Sequence, residues 1–253
     1  MKATIALYDA GFKDSSPALL SLANQTILKD IQIIWVEYYD KVYTKVENFN
    51  FIKRIRLNND INKPYDMGAC YNAALSIAVG KYFTLIDPCL WFPPTFLENI
   101  YNYHNINGNI FTFNYEARTR KTNPDLRHKL TETYFSVLEG IGYKLIKTNR
   151  GCASTTETIN LLGVDGFDII PNDMHLTDRN TLFLCLLRMR AKYHISVSSL
   201  QDRAYHAYHP TGSTFPTDKK TINEYKSKYS LGNTIYPEKG LKWFTDNCKM
   251  EIL

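Results

Sequence analysis

The chain has 253 residues, which is enough to bury one sizeable hydrophobic core. Its content of 44% hydrophobic and 22% charged residues is ordinary for a globular protein and excludes extensive disorder. The formal net charge of +5 is scattered along the chain, which argues against a nucleic-acid partner because such proteins concentrate basic charge on one face. The sequence therefore predicts one ordinary globular unit.

The cysteines and the apolar runs bear on where the protein works. Five widely spaced cysteines without a CxxC pair indicate neither a disulfide framework nor a zinc site. No apolar run approaches the ~20 residues that span a bilayer, and residues 1–2 lead directly into strand-like sequence. We expect a soluble cytoplasmic protein without a transmembrane segment.

The first part of the chain alternates predicted strands and helices. Runs of bulky apolar residues predict buried strands at 3–8, 31–36, 51–57 and 81–86. One helix is expected to begin at Ser16 as its N-cap, and a second to span 67–79 between an Asp66 cap and a left-handed Gly80. This β-α-β-β-α-β order indicates a mostly parallel sheet with right-handed crossovers.

The second part of the chain gives weaker patterns. Helices are predicted at 93–104, 128–138 and 178–190, and strands at 110–115 and 193–197. The Ser/Thr-rich segment 150–162 is ambiguous and leads into a glycine turn at 163–166. We expect one domain over 1–210 and a C-terminal extension over 211–253 that packs on it, with weak helical patterns at 220–229 and 238–247.

Acidic residues follow three of the predicted strands. Asp87 directly follows the strand at 81–86, Glu37 follows the strand at 31–36, and Tyr8 and Asp9 end the first strand. Ligands of open α/β sheets bind at the carboxyl ends of the strands, so these residues are candidate ligand contacts. The alternatives are an Asp-Pro turn for Asp87 and an exposed strand-end side chain for Glu37.

Several segments together resemble the inverting family 2 glycosyltransferases of the GT-A fold over roughly residues 3–210. The resemblance is in the order and spacing of the segments 21–26, 33–38, 68–80, 86–89, 162–168 and 177–178. Three positions depart from the family pattern. Glu37 stands alone where the family has two acids, Cys89 replaces the second acid of an Asp-x-Asp motif, and Thr177 replaces a Glu.

The resemblance implies a GT-A-like α/β fold with a mostly parallel sheet flanked by helices. It further implies transfer of a sugar from a nucleotide-diphosphate donor, here UDP-linked, to a carbohydrate hydroxyl with inversion. Its implied donor contacts are Tyr8, Asp9, Glu37, Asn72 and Asp87. An implied Mn²⁺ or Mg²⁺ ion would be held by Asp87 and a late histidine, His209, whereas the soft thiol of Cys89 suits neither ion.

Asp178 is the candidate general base. A carboxylate in the first turn of a helix is kept charged by the helix dipole, which suits a group that must accept a proton. The alternative interpretation of Asp178 is an ordinary Asp in the first turn of a helix. For His206 and His209, the alternative to a metal ligand is a pair of histidines on an aromatic loop.

Two other functions remain open on the sequence. The incomplete Asp-x-Asp motif allows a catalytically silent module that binds a nucleotide sugar or a glycan. A nucleotidyltransferase would normally show a glycine-rich phosphate loop near the N-terminus, and residues 9–12 offer a single glycine.

Overall fold

The computed structural model describes residues 1–9, 15–40, 44–60, 65–118, 146–169, 178–206, 236–237 and 239–253. The helix predicted at 128–138, the pattern at 220–229, Thr177 and His209 lie outside these ranges. Within the described ranges, none of the helices combines the length and the apolar character that crossing a membrane requires.

The described residues form nine strands, six α-helices and a short 3-10 helix at Leu28–Asp30. The strands are β1 Ala3–Asp9, β2 Ile31–Tyr39, β3 Ile52–Asn59, β4 Tyr82–Ile86, β5 Leu90–Trp91, β6 Ile110–Arg118, β7 Ile146–Glu157, β8 Ser196–His206 and β9 Glu251–Ile252. The helices are α1 Ser16–Ala23, α2 Met67–Ser76, α3 Phe96–Asn107, α4 Thr158–Gly163, α5 Asp178–Tyr193 and α6 Leu241–Asn247.

All nine strands belong to one sheet in the order β5-β8-β6-β7-β4-β1-β2-β3-β9. The block β4-β1-β2-β3 is parallel throughout, as the sequence order predicts. Strand β7 lies antiparallel between β4 and β6, and β9 adds an antiparallel edge beside β3. The predicted α/β, GT-A-like fold class is confirmed.

Hydrophobic side chains cover both faces of the sheet because successive strand residues point in opposite directions. One face, called here the α2 face, packs Ala6 and Tyr8 of β1 against α2, α4, α5 and α6. The other, the α1 face, packs Ile5 and Leu7 of β1 against α1 and α3. Every residue of β1 is buried, which explains its unbroken apolar sequence.

Helix α2 begins as predicted and ends differently. The side chain of Asp66 caps it by accepting a hydrogen bond from the Ala69 amide at 3.0 Å. The helix ends at Ser76, and Gly80 is not among the described glycines with positive φ, so the predicted left-handed stop at Gly80 is wrong. Gly80 is needed for close packing instead, since an added Cβ would lie 2.2 Å from the Ala3 carbonyl carbon.

The ambiguous segment at 150–162 contains most of strand β7 and all but the last residue of helix α4. Thr155 of β7 hydrogen-bonds Thr84 of β4 through their hydroxyl groups at 2.9 Å, so polar side chains are satisfied inside the sheet. The strand predicted at 193–197 is misplaced, because α5 continues to Tyr193 and β8 begins at Ser196. Local apolar character did not distinguish the end of a buried helix from the start of a strand.

Candidate functional site

The parallel block brings the predicted acids to one edge of the sheet. Asp9 and Glu37 are paired residues at the carboxyl ends of β1 and β2, and Asp87 directly follows β4, the other neighbour of β1. This is the edge at which ligands bind in open α/β folds. The side chains nevertheless have different surroundings.

Glu37 lies on the α1 face and is fully buried within an arginine pair. Its Oε1 accepts hydrogen bonds from Nε and Nη2 of Arg54 at 3.1 and 2.8 Å, and its Oε2 accepts one from Nε of Arg56 at 2.8 Å. Arg54 also lies 3.6 Å from the exposed carboxylate of Glu47. Both oxygens that the sequence assigns to a nucleoside are engaged by arginines, and the nucleoside contact of Glu37 stays a prediction.

The sequence analysis missed both arginines. Arg54 and Arg56 are two residues apart on β3, so they project from the same face, and Arg56 pairs directly with Glu37 in the sheet. One signal in the sequence could have revealed them. The two arginines are two residues apart in the predicted strand 51–57, and the preceding predicted strand ends in the acid Glu37.

Asp9 also lies on the α1 face and is almost completely buried. Its Oδ2 accepts a hydrogen bond from the Thr44 amide at 3.0 Å, and the Thr44 hydroxyl accepts one from the Ser15 amide at 3.0 Å. Asp9 therefore holds Thr44 against the end of β1, and Thr44 in turn bonds the residue that precedes α1. Its part in a donor pocket stays a prediction.

Tyrosines occupy the same edge on the α2 face. Tyr8 lies 5.6 Å from Tyr65 between ring centroids, and Tyr38 lies 4.7 Å from Tyr65. An irregularity in the register between Glu37 and Tyr39 lets consecutive residues of β2, Tyr38 and Tyr39, join the same hydrophobic cluster. Burial raises the pKa of Tyr38 above its ordinary value, so its phenol is neutral at physiological pH.

Asn72 of α2 holds a backbone turn. Its Nδ2 donates to the Phe167 carbonyl at 2.8 Å, and its Oδ1 accepts from the Phe167 amide at 2.9 Å. Gly68, one turn earlier, lies so close to the same segment that an added Cβ would be 1.9 Å from the Asp168 carbonyl oxygen. The observed contacts join α2 to the turn before α5, and the nucleotide contact of Asn72 stays a prediction.

Arg188 anchors that turn from the other side. The Arg188 side chain is completely buried, pairs with the Asp168 carboxylate and donates from Nη2 to the Gly166 carbonyl at 2.6 Å. Arg188 belongs to α5, whose first residue is Asp178. The helix that carries the predicted base is thus fixed to the turn that α2 also grips.

Asp87 forms a tight turn with Cys89. Its Oδ1 accepts from the Cys89 amide at 3.0 Å and from the Cys89 thiol at 2.6 Å. The described ranges contain no group of three His, Cys, Asp or Glu side chains placed to hold a metal. A single carboxylate fits Mg²⁺ bound mainly through substrate phosphates. His206 is the last residue of β8 and pairs with Leu90, so it lies in a strand and not in an aromatic loop.

Comparison with solved structures identifies the same fold in TarS of S. aureus. TarS 1-349 in complex with UDP-GlcNAc is 16% identical with a TM-score of 0.64, and its complex with UDP is 15% identical with a TM-score of 0.60. These alignments cover 92% of this chain and 66% and 65% of the TarS chains. A longer TarS structure is 16% identical with a TM-score of 0.53, and the alignment covers 83% of this chain and 37% of that one.

No protein-family model and no curated protein matches the sequence. The chain spans slightly less than two thirds of the TarS 1-349 chains that it matches. At identities of 14–16%, the TM-scores of 0.58–0.64 show a shared fold and nothing beyond it. This chain therefore has the α/β fold of these UDP- and UDP-GlcNAc-bound proteins.

Proposed function

We propose that the protein is an inverting glycosyltransferase that uses a UDP-sugar donor and a glycan acceptor. The observation that supports this most directly is the set of acids Asp9, Glu37 and Asp87 after neighbouring parallel strands. They lie on a fold that TarS shares in complexes with UDP-GlcNAc and UDP. The proposal combines that placement with the sequence resemblance.

In the proposed complex the donor lies across the carboxyl ends of β1, β2 and β4. Tyr8, Asp9, Glu37 and Asn72 contribute to the nucleoside pocket, and Asp87 faces the diphosphate. A Mg²⁺ or Mn²⁺ ion, when bound, supplies positive charge that stabilises the leaving diphosphate, with Asp87 and His209 as its protein ligands.

Asp178 is the proposed general base. It begins a helix of 16 residues, where the helix dipole favours the charged carboxylate. The acceptor hydroxyl forms a bond to the anomeric carbon as the bond from that carbon to the diphosphate oxygen breaks. The hydroxyl proton passes to Asp178 and the bonding electrons leave with UDP, so attack from the opposite side inverts the configuration.

Donor binding is the first test. UDP and UDP-GlcNAc should raise the melting temperature, because a ligand that binds only the folded state stabilises it by about 2.7 kcal/mol at a hundred times its Kd. ADP serves as the control for nonspecific nucleotide effects. If no uridine nucleotide shifts the transition at millimolar concentration, the donor site is refuted.

A catalytically silent binding module is the second candidate. It is favoured by Cys89 in the position of the second acid and by the absence of a three-residue metal cluster among the described residues. Release of UDP from UDP-sugars, to water or to saccharide acceptors, separates the two candidates. Binding without turnover across a donor panel supports the silent module.

A further inference from the structure

A cavity of about 440 Å³ opens on the α2 face, next to the carboxyl ends of β2 and β3. Its wall residues come from both strands, from the start of α2 and from α6: Tyr38, Asn59, Asp66, Ala69, Trp243 and Asn247. The volume falls within the range of small-molecule sites, roughly 300–1,000 Å³. None of the predicted donor carboxylates lines this cavity.

One part of the cavity wall is apolar and aromatic. Leu57 and Phe244 are buried, and Tyr38 and Trp243 contribute aromatic rings. The Lys239 ammonium lies 4.8 Å from the centre of the Trp243 ring and helps to fix its position. Such a surface suits a ligand with a weakly polar C–H face.

Two amide side chains lie at the rim, that of half-buried Asn59 and that of exposed Asn247. Asn59 donates from Nδ2 to the Tyr38 carbonyl at 3.2 Å, and Asn247 donates from Nδ2 to the Trp243 carbonyl at 2.8 Å. Among the residues that the structure describes, neither Oδ1 has a hydrogen-bond partner. Amide oxygens accept hydrogen bonds from hydroxyl groups, which indicates a hydroxylated ligand.

The charged side chains that line the cavity have both signs. A helix N-terminus normally attracts an anion, but at α2 the Asp66 carboxylate already caps the helix and lines the cavity. Lys239 and Lys249 also line it. Carboxylates accept hydrogen bonds from hydroxyl groups and ammonium groups donate hydrogen bonds to them, so this surface suits a ligand with hydroxyl groups.

We propose that this cavity binds a neutral hexose-based unit of the acceptor saccharide. Its identification as an acceptor subsite rests on the proposed transferase function, whereas saccharide binding itself does not. Ile169, which lines the cavity, directly follows Asp168, the partner of Arg188 in α5. The cavity and the helix that begins with Asp178 thus share one face of the sheet.

Cys248 provides a built-in reporter. It lines the cavity and is half-buried, and burial raises the pKa of its thiol. Labelling by a neutral maleimide in mildly alkaline buffer, followed at the Cys248 peptide by mass spectrometry, measures access to the cavity. Cellobiose, chitobiose and maltose are the probes, and each that binds should slow labelling about tenfold at about ten times its Kd.

Matched variants separate the cavity from the rest of α6. Trp243→Ala should abolish protection by the saccharides, whereas Lys242→Ala, an exposed residue of the same helix outside the cavity, should retain it. Melting curves establish that each variant is folded. Asn59→Ala, on β3, repeats the test without changing α6.

Each outcome decides the proposal. Protection by at least one disaccharide that is lost in Trp243→Ala or Asn59→Ala supports it. Absence of protection by all three, or protection by UDP alone, overturns it. If saccharides slow labelling but neither UDP nor UDP-GlcNAc changes the melting temperature, the saccharide site is supported and the transferase proposal is refuted.

Discussion

The two faces of the sheet use the same edge differently. On the α1 face, Asp9 and Glu37 are buried and hydrogen-bonded to other parts of the protein. On the α2 face, tyrosines line the edge and a cavity opens beside Tyr38. The comparison shows that an acidic residue at a strand end is not by itself evidence of a ligand contact. The face of the sheet on which its side chain lies decides whether the carboxylate meets other residues of the protein. We expect stability to depend on the α1 face and turnover on the α2 face.

The largest effect is expected on the α2 side, at Asp178. Asp178→Asn should lower turnover by about 10²–10⁴ with donor affinity nearly unchanged, because the amide cannot accept the acceptor proton. Steady-state kinetics and UDP titration measure the two quantities. A parallel loss of donor affinity places Asp178 among the binding residues, and full turnover transfers the role to another acid, with Asp168 and Asp173 the next to test.

On the α1 face, Glu37→Ala should lower the free energy of unfolding by about 3 kcal/mol. Removing one partner of a buried ion pair leaves the arginine charges uncompensated, and their partial exposure holds the effect near the lower end of the usual range. Denaturant unfolding measures this change. Glu47→Ala is the matched control, since that exposed pair contributes at most about 1 kcal/mol.

The same variant tests the predicted nucleoside contact. If Glu37 binds the donor, Glu37→Ala should also shrink the rise in melting temperature produced by UDP. An unchanged UDP response in a destabilised variant would show that the carboxylate only holds Arg54 and Arg56 in place. Glu37 would then contribute to stability alone.

His104, also on the α1 face, should make stability depend on pH. Burial, with a smaller effect of Lys81, lowers its pKa from 6.5 to about 4, and its Nε2 bonds the Thr112 hydroxyl at 2.9 Å. The unfolded chain binds a proton that the folded chain does not between these values, so stability is lost as the pH falls from 6.5 towards 4. The contribution is of order 3 kcal/mol.

Unfolding measured across this window checks the prediction. His104→Gln should flatten the pH dependence, and Lys81→Ala should weaken it slightly by removing a nearby positive charge. An identical slope in His104→Gln and the parent protein assigns the dependence to other groups.

The smallest effect is expected at Asp87. Asp87→Asn should remove the gain in UDP affinity that Mg²⁺ or Mn²⁺ provides, a change of about tenfold or 1.4 kcal/mol. Titrations of UDP with and without the ion measure it. Cys89→Ser preserves a donor beside Asp87 and should have little effect, so equal damage from both variants would identify the turn as structural.

The sequence predicts the parallel block well because its signals are local. Runs of bulky residues mark β1, β2 and β4, and the Asp66 cap marks the start of α2. Strand β7 is the counterexample, since its Ser and Thr side chains find partners on other strands, such as Thr84 for Thr155. The sequence pattern within a single strand does not indicate such distant partners.

In the candidate site, too, some features follow from the local sequence and others depend on residues far away in the chain. The positions of Asp9, Glu37 and Asp87 at strand ends follow from the sequence, but the burial of Glu37 depends on arginines from β3. The clamp of Asn72 on Phe167 joins residues 95 positions apart. The cavity requires α6, which is far from Tyr38 in the sequence, and no single-sequence pattern places them together.

The double attachment of α2 to the turn at 166–168 has a mechanical consequence. The contact at Gly68 and the hydrogen bonds of Asn72 lie one helical turn apart, so α2 can neither slide along the turn nor pivot on it without breaking one of them. Arg188 ties the same turn to α5. The turn consequently links α2 to α5 through contacts that form when the protein folds. In the proposed transferase, this link would set the separation of the two helices before any substrate arrives.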